Sequence, residues 1–305
     1  MNQPVDKSLN LGVAPVTYGT GDRPPRGDYG RARSDYTCEQ DWSRYSAGDH
    51  DTYRRLHARQ MQQLPGLACD EFMAAVDLLG ACDQVPHFDA ISERLYRATG
   101  WQIVGVPGLI PEEAFFGLLA QRRFPVTDWM RTANEFDYVV EPDAFHDLFG
   151  HVPLLFNPVF ADYMQAYGLG GMKAGQLDAC ELLARLYWHT VEFGLICTPH
   201  GLRAYGAGIL SSAGELSYSL SSTAARRIPF ELPRIMRTRY RIDSFQAGYF
   251  VIESFDQLFK ATAPDFAPVY ARVKADIKHE GEIPAGEVLV AETEYLPSAR
   301  LPSAT

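Results

Sequence analysis

The stretch Glu141-Pro142-Asp143-Ala144-Phe145-His146-Asp147-Leu148-Phe149-Gly150-His151-Val152-Pro153 carries the most information in the chain. Its two histidines stand five residues apart. On an ideal α-helix each residue turns about 100°, so the two imidazoles would point about 140° away from each other. One continuous α-helix cannot aim both at a single ligand. Gly150 is suited to ending a helix in a left-handed turn and Pro153 to preventing its resumption, which would swing His151 back beside His146. The spacing therefore predicts a helix over 142–150 that breaks to form a histidine pair. Taken singly, a buried histidine is more often a hydrogen-bonded core residue than a ligand.

A third candidate lies in LLARLYWHTVEFGLI, residues 182–196, where Glu192 sits among apolar residues on what reads as a mostly buried helix. A buried carboxylate left unpaired costs several kcal/mol. Arg185 is seven residues earlier, roughly 10.5 Å along a helix, too far for a direct pair. His189, three earlier, is the partner available within the helix, and a cation from outside it is the other solution. Two imidazoles and one carboxylate make the facial triad associated with non-haem Fe(II), which leaves positions open for oxygen chemistry. Zinc with the same ligands and a bound water is the competing metal. The H-E-x-x-H pattern of zinc proteases is absent, since Asp147 follows the first histidine and the second is five residues on.

The rest of the chain frames these residues. Its 305 residues are 46% hydrophobic, enough for a sizeable core in one large domain or two ordinary ones. Thirty-eight acidic against 28 basic residues leave a net charge of −10. That balance opposes docking on nucleic acid or on an anionic membrane, so small-molecule partners are expected. The five cysteines, Cys38, Cys69, Cys82, Cys180 and Cys197, contain no C-x-x-C pair and read as a reduced complement. No apolar leader opens the sequence and no charge-free apolar run reaches about 18 residues, so a cytoplasmic location is expected.

Between Thr17 and Arg55 there is no Leu, Ile, Val, Met or Phe, yet Tyr29, Tyr36, Trp42, Tyr45 and Tyr53 punctuate the stretch. Residues 1–30 are expected to be mobile, and the following chain to lie as an arm on the main body of a domain over 31–280. Apolar spacing turns helical from about Asp51. A short strand is predicted from Trp101 to Val106, before Pro107-Gly108, and Pro111-Glu112-Glu113 opens a helix through Ala120. Further helices are predicted over 158–169, 177–196, 213–221, 255–262 and 268–279, with strand-like runs at 203–205 and 249–252. The fold class is mostly α with small β elements. Residues 281–305 show no heptad pattern, which points to a tail without an oligomerisation helix and to a monomer.

Three blocks carry a resemblance: EPDAFHDLFGHVPLLFNPVFADYMQAYG from Glu141, LARLYWHTVEFGL from Leu183 and YGAGILSSAGEL from Tyr205. They resemble the aromatic amino acid hydroxylases, and among these the single-domain bacterial members, with weaker similarity from about Cys38 to about Tyr270. The resemblance implies a single catalytic domain with a basket-like fold and no preceding regulatory domain. It implies one Fe(II), a tetrahydropterin cosubstrate and dioxygen, with L-phenylalanine converted to L-tyrosine. His146, His151 and Glu192 become the iron ligands. Arg131 becomes the clamp for the amino acid carboxylate, a task suited to a planar charged fork. Ser211 falls beside that carboxylate and an iron ligand, and Pro142, Trp188 and Phe193 wall the ring pocket. Trp188, four before Glu192, is expected on the same helical face. Gly108, Ile110, Phe115 and Tyr187 surround the pterin, with Phe115 as the stacking ring.

Three positions depart from the family's pattern, and two more bear on the choice of substrate. Asp147 replaces Glu and is expected to reach the pterin through water. Val139 replaces a hydroxyl-bearing residue near the substrate, and His189 an aromatic that binds no metal. Ile242 stands where tyrosine hydroxylases are acidic, and Trp188 where tryptophan hydroxylases have Phe, so phenylalanine is the expected substrate. Tryptophan hydroxylation by the same chemistry is the alternative, followed by a zinc hydrolase acting through a metal-bound hydroxide.

Overall fold

The computed structural model describes residues 25–80 and 82–297. The mobility expected of residues 1–24 therefore concerns positions outside the described residues. Residues 25–30, assigned to the same segment, pack on the body: Tyr29 is buried and its hydroxyl donates to Leu109 O at 2.9 Å. The chain after it is held by a bridge from Cys38 to Gly105 and by Trp42 Nε1 donating to Val85 O at 2.7 Å. Aromatic side chains with a polar tip serve here as anchors in place of aliphatic ones.

Helix α1 (Ala47–Gln63) starts from a capping box in which Ser46 and Asp49 each bind the other's backbone amide. Helix α2 (Asp70–Val76) follows, then α3 (Phe88–Thr99), which ends at Gly100 in the left-handed conformation. Strand β1 (Gln102–Val106), helix α4 (Glu112–Ala120) and strand β2 (Arg123–Thr127) form a βαβ unit with parallel strands, Gln102 opposite Arg123. The sequence reading missed β2 because Pro125 sits inside it. A two-stranded sheet has only edge strands, where the missing amide is tolerated.

Helix α5 (Pro158–Gln176) is entered through Asn157, whose side chain accepts from the amides of Val159 and Phe160. It runs past the expected end at residue 169. Helix α6 (Cys180–Tyr187) then passes into a π-helical turn over Trp188–Glu192. The helix expected over 177–196 thus stops at Glu192, and Leu195 and Ile196 belong to β3 (Leu195–Thr198). There they pair with Ala204 and Arg203 on one side and with Val251 and Ile252 on the other. Tertiary pairing outweighs local helical pattern at such a short apolar run.

Next come β4 (Gly201–Ala204), α7 (Ala207–Leu210), α8 (Ala213–Ser221), β5 (Arg226–Pro229), α9 (Leu232–Arg237), β6 (Gly248–Ile252), α10 (Phe255–Thr262) and α11 (Ala267–Glu280). The four strands order as β4-β3-β6-β5, with β3 and β4 antiparallel and the other pairs parallel. All five residues of β6 are buried, as expected of an inner strand covered on both faces. One continuous apolar cluster runs from Tyr45 to Val273 and draws on almost every element. The described residues are therefore mostly helical, with two small sheets around one core. Among the described residues no helix is long and apolar enough to cross a membrane, and residues 281–297 hold none.

Asn157→Ala removes the cap of the longest helix and should lower the unfolding free energy by about 1 kcal/mol. A guanidinium midpoint equal to that of the parent protein would show that the cap contributes nothing.

Candidate metal centre and its cavity

The two histidines meet, but by a different device from the one the sequence suggests. Gly150 has no positive φ and the helix does not break. After Ala144 and Phe145 the chain winds as a π-helix over His146–His151, then tightens into a 3-10 segment over Val152–Phe156 with Pro153 in its first turn. In i→i+5 winding, residues five apart stack on one face, which turns the 140° separation of an α-helix into alignment. Gly150 is needed for another reason. A Cβ there would come 2.9 Å from Ala207 O and 3.1 Å from Ala207 Cβ, so only glycine lets this turn rest on α7.

The π-helical turn at Trp188–Glu192 presents Glu192 to the same point. His151 Nε2 lies 3.1 Å from Glu192 Oε1 and 3.2 Å from His146 Nε2, and His146 Nε2 lies 3.6 Å from Glu192 Oε2. Ser211 Oγ donates its proton to Ala207 O at 2.8 Å, so toward His146 Nδ1, 2.9 Å away, it acts as acceptor. That fixes the proton of His146 on Nδ1 and leaves Nε2 as a bare lone pair facing the cluster. Three atoms with lone pairs converge within 4.8 Å of one another. A proton on His151 satisfies one of these contacts, whereas a cation among them satisfies all three.

Charge states follow the same geometry. Burial pushes the His146 imidazole down to about 4, so it is neutral at neutral pH. Burial acts the same way on His151, but the Glu192 carboxylate beside it outweighs that and raises it. Burial alone would lift Glu192, yet the two imidazoles hold its carboxyl below the usual range. His189 takes no part: it contacts Thr238 O at 3.3 Å, and burial keeps it near 4 as a neutral core histidine. Arg185 pairs with Glu181 and Glu282.

A cavity of about 700 Å³ opens onto His146 and Glu192, lined also by Arg131, Pro142, Trp188, Phe193 and Ser211. Val139 and Ile242 line it too. The Trp188 ring is stacked on Tyr240 at 4.5 Å and flanked by Phe193 at 5.1 Å, so it forms a fixed wall. Arg131 is buried and held by Asp143, which takes Nε and Nη2 at 2.8 Å each and the Arg131 amide at 2.9 Å. Nη1 makes no hydrogen bond to protein among the described residues.

Gly108, Ile110, Phe115, Asp147 and Tyr187 do not line this cavity. Of these, Tyr187 lies beside His151, ring to ring at 6.1 Å, and Phe115 stands edge-on to Tyr187 at 5.4 Å. Asp147 accepts from the Thr127 amide at 2.8 Å, and burial pushes its carboxyl up to about 7. Gly108 and Ile110 occupy the loop between β1 and α4.

Three residues of this arrangement escaped the sequence reading. Asp143 both orients Arg131 and accepts from the His146 amide at 3.0 Å, and an acid three residues before a helical His is the ordinary capping signal that could have revealed it. Glu215 is buried against the cavity and accepts from the Gln246 amide and the Tyr249 hydroxyl. Tyr240 backs Trp188. Neither of these has a local signal, because their partners are distant in sequence.

Comparison with known proteins places the chain among relatives. Residues 33–282 match a family model described as biopterin-dependent aromatic amino acid hydroxylase. The chain is 62% identical over 239 residues to a phenylalanine-4-hydroxylase of Ralstonia nicotianae, covering 78% of this chain and 76% of that one. It is 59% identical over 256 residues to the enzyme of the same name from Chromobacterium violaceum, covering 84% and 85%. A crystal structure of phenylalanine hydroxylase from Chromobacterium violaceum bound to cobalt superposes with a TM-score of 0.84 at 56% identity, over 87% of this chain and 95% of that one.

Ser211→Ala leaves the His146 tautomer unfixed and should weaken metal affinity by about 10- to 100-fold. Competition against a chelator of known affinity measures it, and an unchanged constant would remove Ser211 from that role.

Proposed function

The chain belongs to the biopterin-dependent aromatic amino acid hydroxylases, and on that premise we infer that it converts L-phenylalanine to L-tyrosine with Fe(II), tetrahydropterin and dioxygen. The observation that carries the reading is the meeting of three metal-ligating groups, His146, His151 and Glu192, at the end of a cavity walled by aromatic rings. The residues present fit a metal: three acceptors face one point, and Ser211, by accepting from His146 Nδ1–H, keeps that proton off Nε2. Iron held there would activate dioxygen for insertion of one of its oxygen atoms into the ring, with the pterin supplying the two electrons. Three protein ligands leave the remaining positions open for that work.

The other roles belong to the chain's own side chains. Asp143 holds the Arg131 fork by two of its nitrogens, so Nη1 is the group for the substrate carboxylate, with the Ser211 region beside it. Binding the carboxylate at a fixed arginine orients the ring toward Glu192 and converts an encounter into a positioned reaction. Pro142, Trp188 and Phe193 receive the ring and keep water from it. Because Tyr240 pins the indole of Trp188, the wall does not swing back for a bicyclic substrate, which favours phenylalanine over tryptophan. Phe115 and Tyr187 offer faces to the pterin on the His151 side, and Asp147 offers a carboxyl group that titrates near 7 and so can donate or accept toward it. We assign the chain to the cytoplasm as a monomer, in keeping with five cysteines that make no pair and a stretch over 281–297 without a helix.

Anaerobic loading with Fe(II), then phenylalanine, tetrahydropterin and air, should yield tyrosine by chromatography only when all are present. Faster hydroxylation of tryptophan would overturn the substrate. Glu192→Ala should bind little iron while remaining folded, and full iron content in that variant would take Glu192 out of the site. Arg131→Lys keeps the charge but loses the fork, so the KM for phenylalanine should rise about tenfold or more. An unmoved KM would argue against the clamp.

A further inference from the structure

The loop between β1 and α4 has no regular structure of its own, and residues 25–31 are fastened across it. Tyr29 Oη donates to Leu109 O at 2.9 Å, at the centre of the loop. Gly27 has φ 100°, and a Cβ there would land on the carbonyl of Pro107, so the two backbones lie in direct contact. The reverse holds for Gly108, at φ 156°, where a Cβ would come 2.8 Å from Arg26 O and 3.1 Å from Tyr29 Oη. Each glycine is thus required by the other segment.

The fastening continues on both sides. The Arg26 amide reaches both oxygens of Glu141, at 3.1 and 3.2 Å, and its Nη1 lies 2.8 Å from Glu135. Its guanidinium sits 4.1 Å from the centre of the Trp129 ring. Arg31 Nη1 holds Asp128, just after β2, at 2.7 Å.

We propose that residues 25–31 form a strap that sets the shape of the 107–110 loop and thereby the affinity for the pterin, with Tyr29 as its positioning residue. This rests on the reading that Gly108, Ile110 and Phe115 border the pterin. A loop shaped in advance spends none of the ligand's binding energy on ordering itself. Tyr29 touches neither substrate; it acts through the Leu109 carbonyl, which it holds from the side the strap covers.

The test compares Tyr29→Phe, which keeps the ring and deletes one hydrogen bond, with Phe115→Ala, which removes the stacking ring. Binding of 7,8-dihydrobiopterin to the iron-loaded protein is measured by calorimetry without oxygen, and amide hydrogen exchange at Leu109 and Ile110 in the metal-free protein. Tyr29→Phe should weaken the pterin about fivefold, the range of one buried hydrogen bond. It should also speed exchange at both amides while the KM for phenylalanine stays put. A general loosening of the fold would instead move the phenylalanine KM as well, and that result would overturn the proposal. Unchanged pterin affinity in Tyr29→Phe, with Phe115→Ala clearly weakened, would also overturn the strap while leaving the pterin reading intact. If neither variant weakened the pterin, the reading of the loop would fail and the strap's role with it.

Discussion

His146 Nε2, His151 Nε2 and a Glu192 oxygen are held within 4.8 Å of one another in the interior. Lone pairs brought this close repel unless something positive sits among them, and the low dielectric of the surroundings sharpens that penalty. The fold accepts the cost by spending two π-helical turns, His146–His151 and Trp188–Glu192, on the arrangement. Such turns are uncommon and cluster at functional sites because they insert a residue into a helix to re-aim its side chains. Here the first turn delivers what an α-helix would not, two imidazoles on one face, and the second presents the Glu192 carboxylate to the same point.

Much of the neighbouring structure supports these turns. Helix α7 runs against the first, close enough that position 150 admits no side chain, and the same helix supplies the Ala207 carbonyl that orients Ser211 and through it His146. Asp143 ties the start of that turn to Arg131, so the His146 end and the Arg131 end of the cavity share one buried ion pair. Deleting one partner of such a pair leaves an uncompensated buried charge, at a cost of about 3–5 kcal/mol. On the other side, Tyr187 and Phe115 carry the packing from His151 out toward the loop that the 25–31 strap covers.

What was legible in the sequence divides along physical lines. Helix starts and strand ends with turn chemistry were readable: Pro111 before α4, Pro158 opening α5, and Pro107-Gly108 after β1. The candidate ligand residues were readable as types at a spacing. Their geometry was not, because a π-turn has no compositional signal and Gly150 looked like a helix terminator when its actual task is close approach to Ala207. Strands β2 and β3 were missed for related reasons, one containing a proline and the other a short apolar run whose partners lie far along the chain. The strap was read as part of a mobile segment, since its anchoring residues Arg26 and Tyr29 find partners about 80 to 115 positions away. Contacts of that separation leave no local trace.

The most direct test of the account is X-ray absorption at the iron edge of the Fe(II)-loaded protein. Two imidazole ligands, one carboxylate and water-derived oxygens in the remaining positions are the result that the two π-turns demand. A single imidazole, a sulfur ligand or a closed shell of four protein ligands would contradict it.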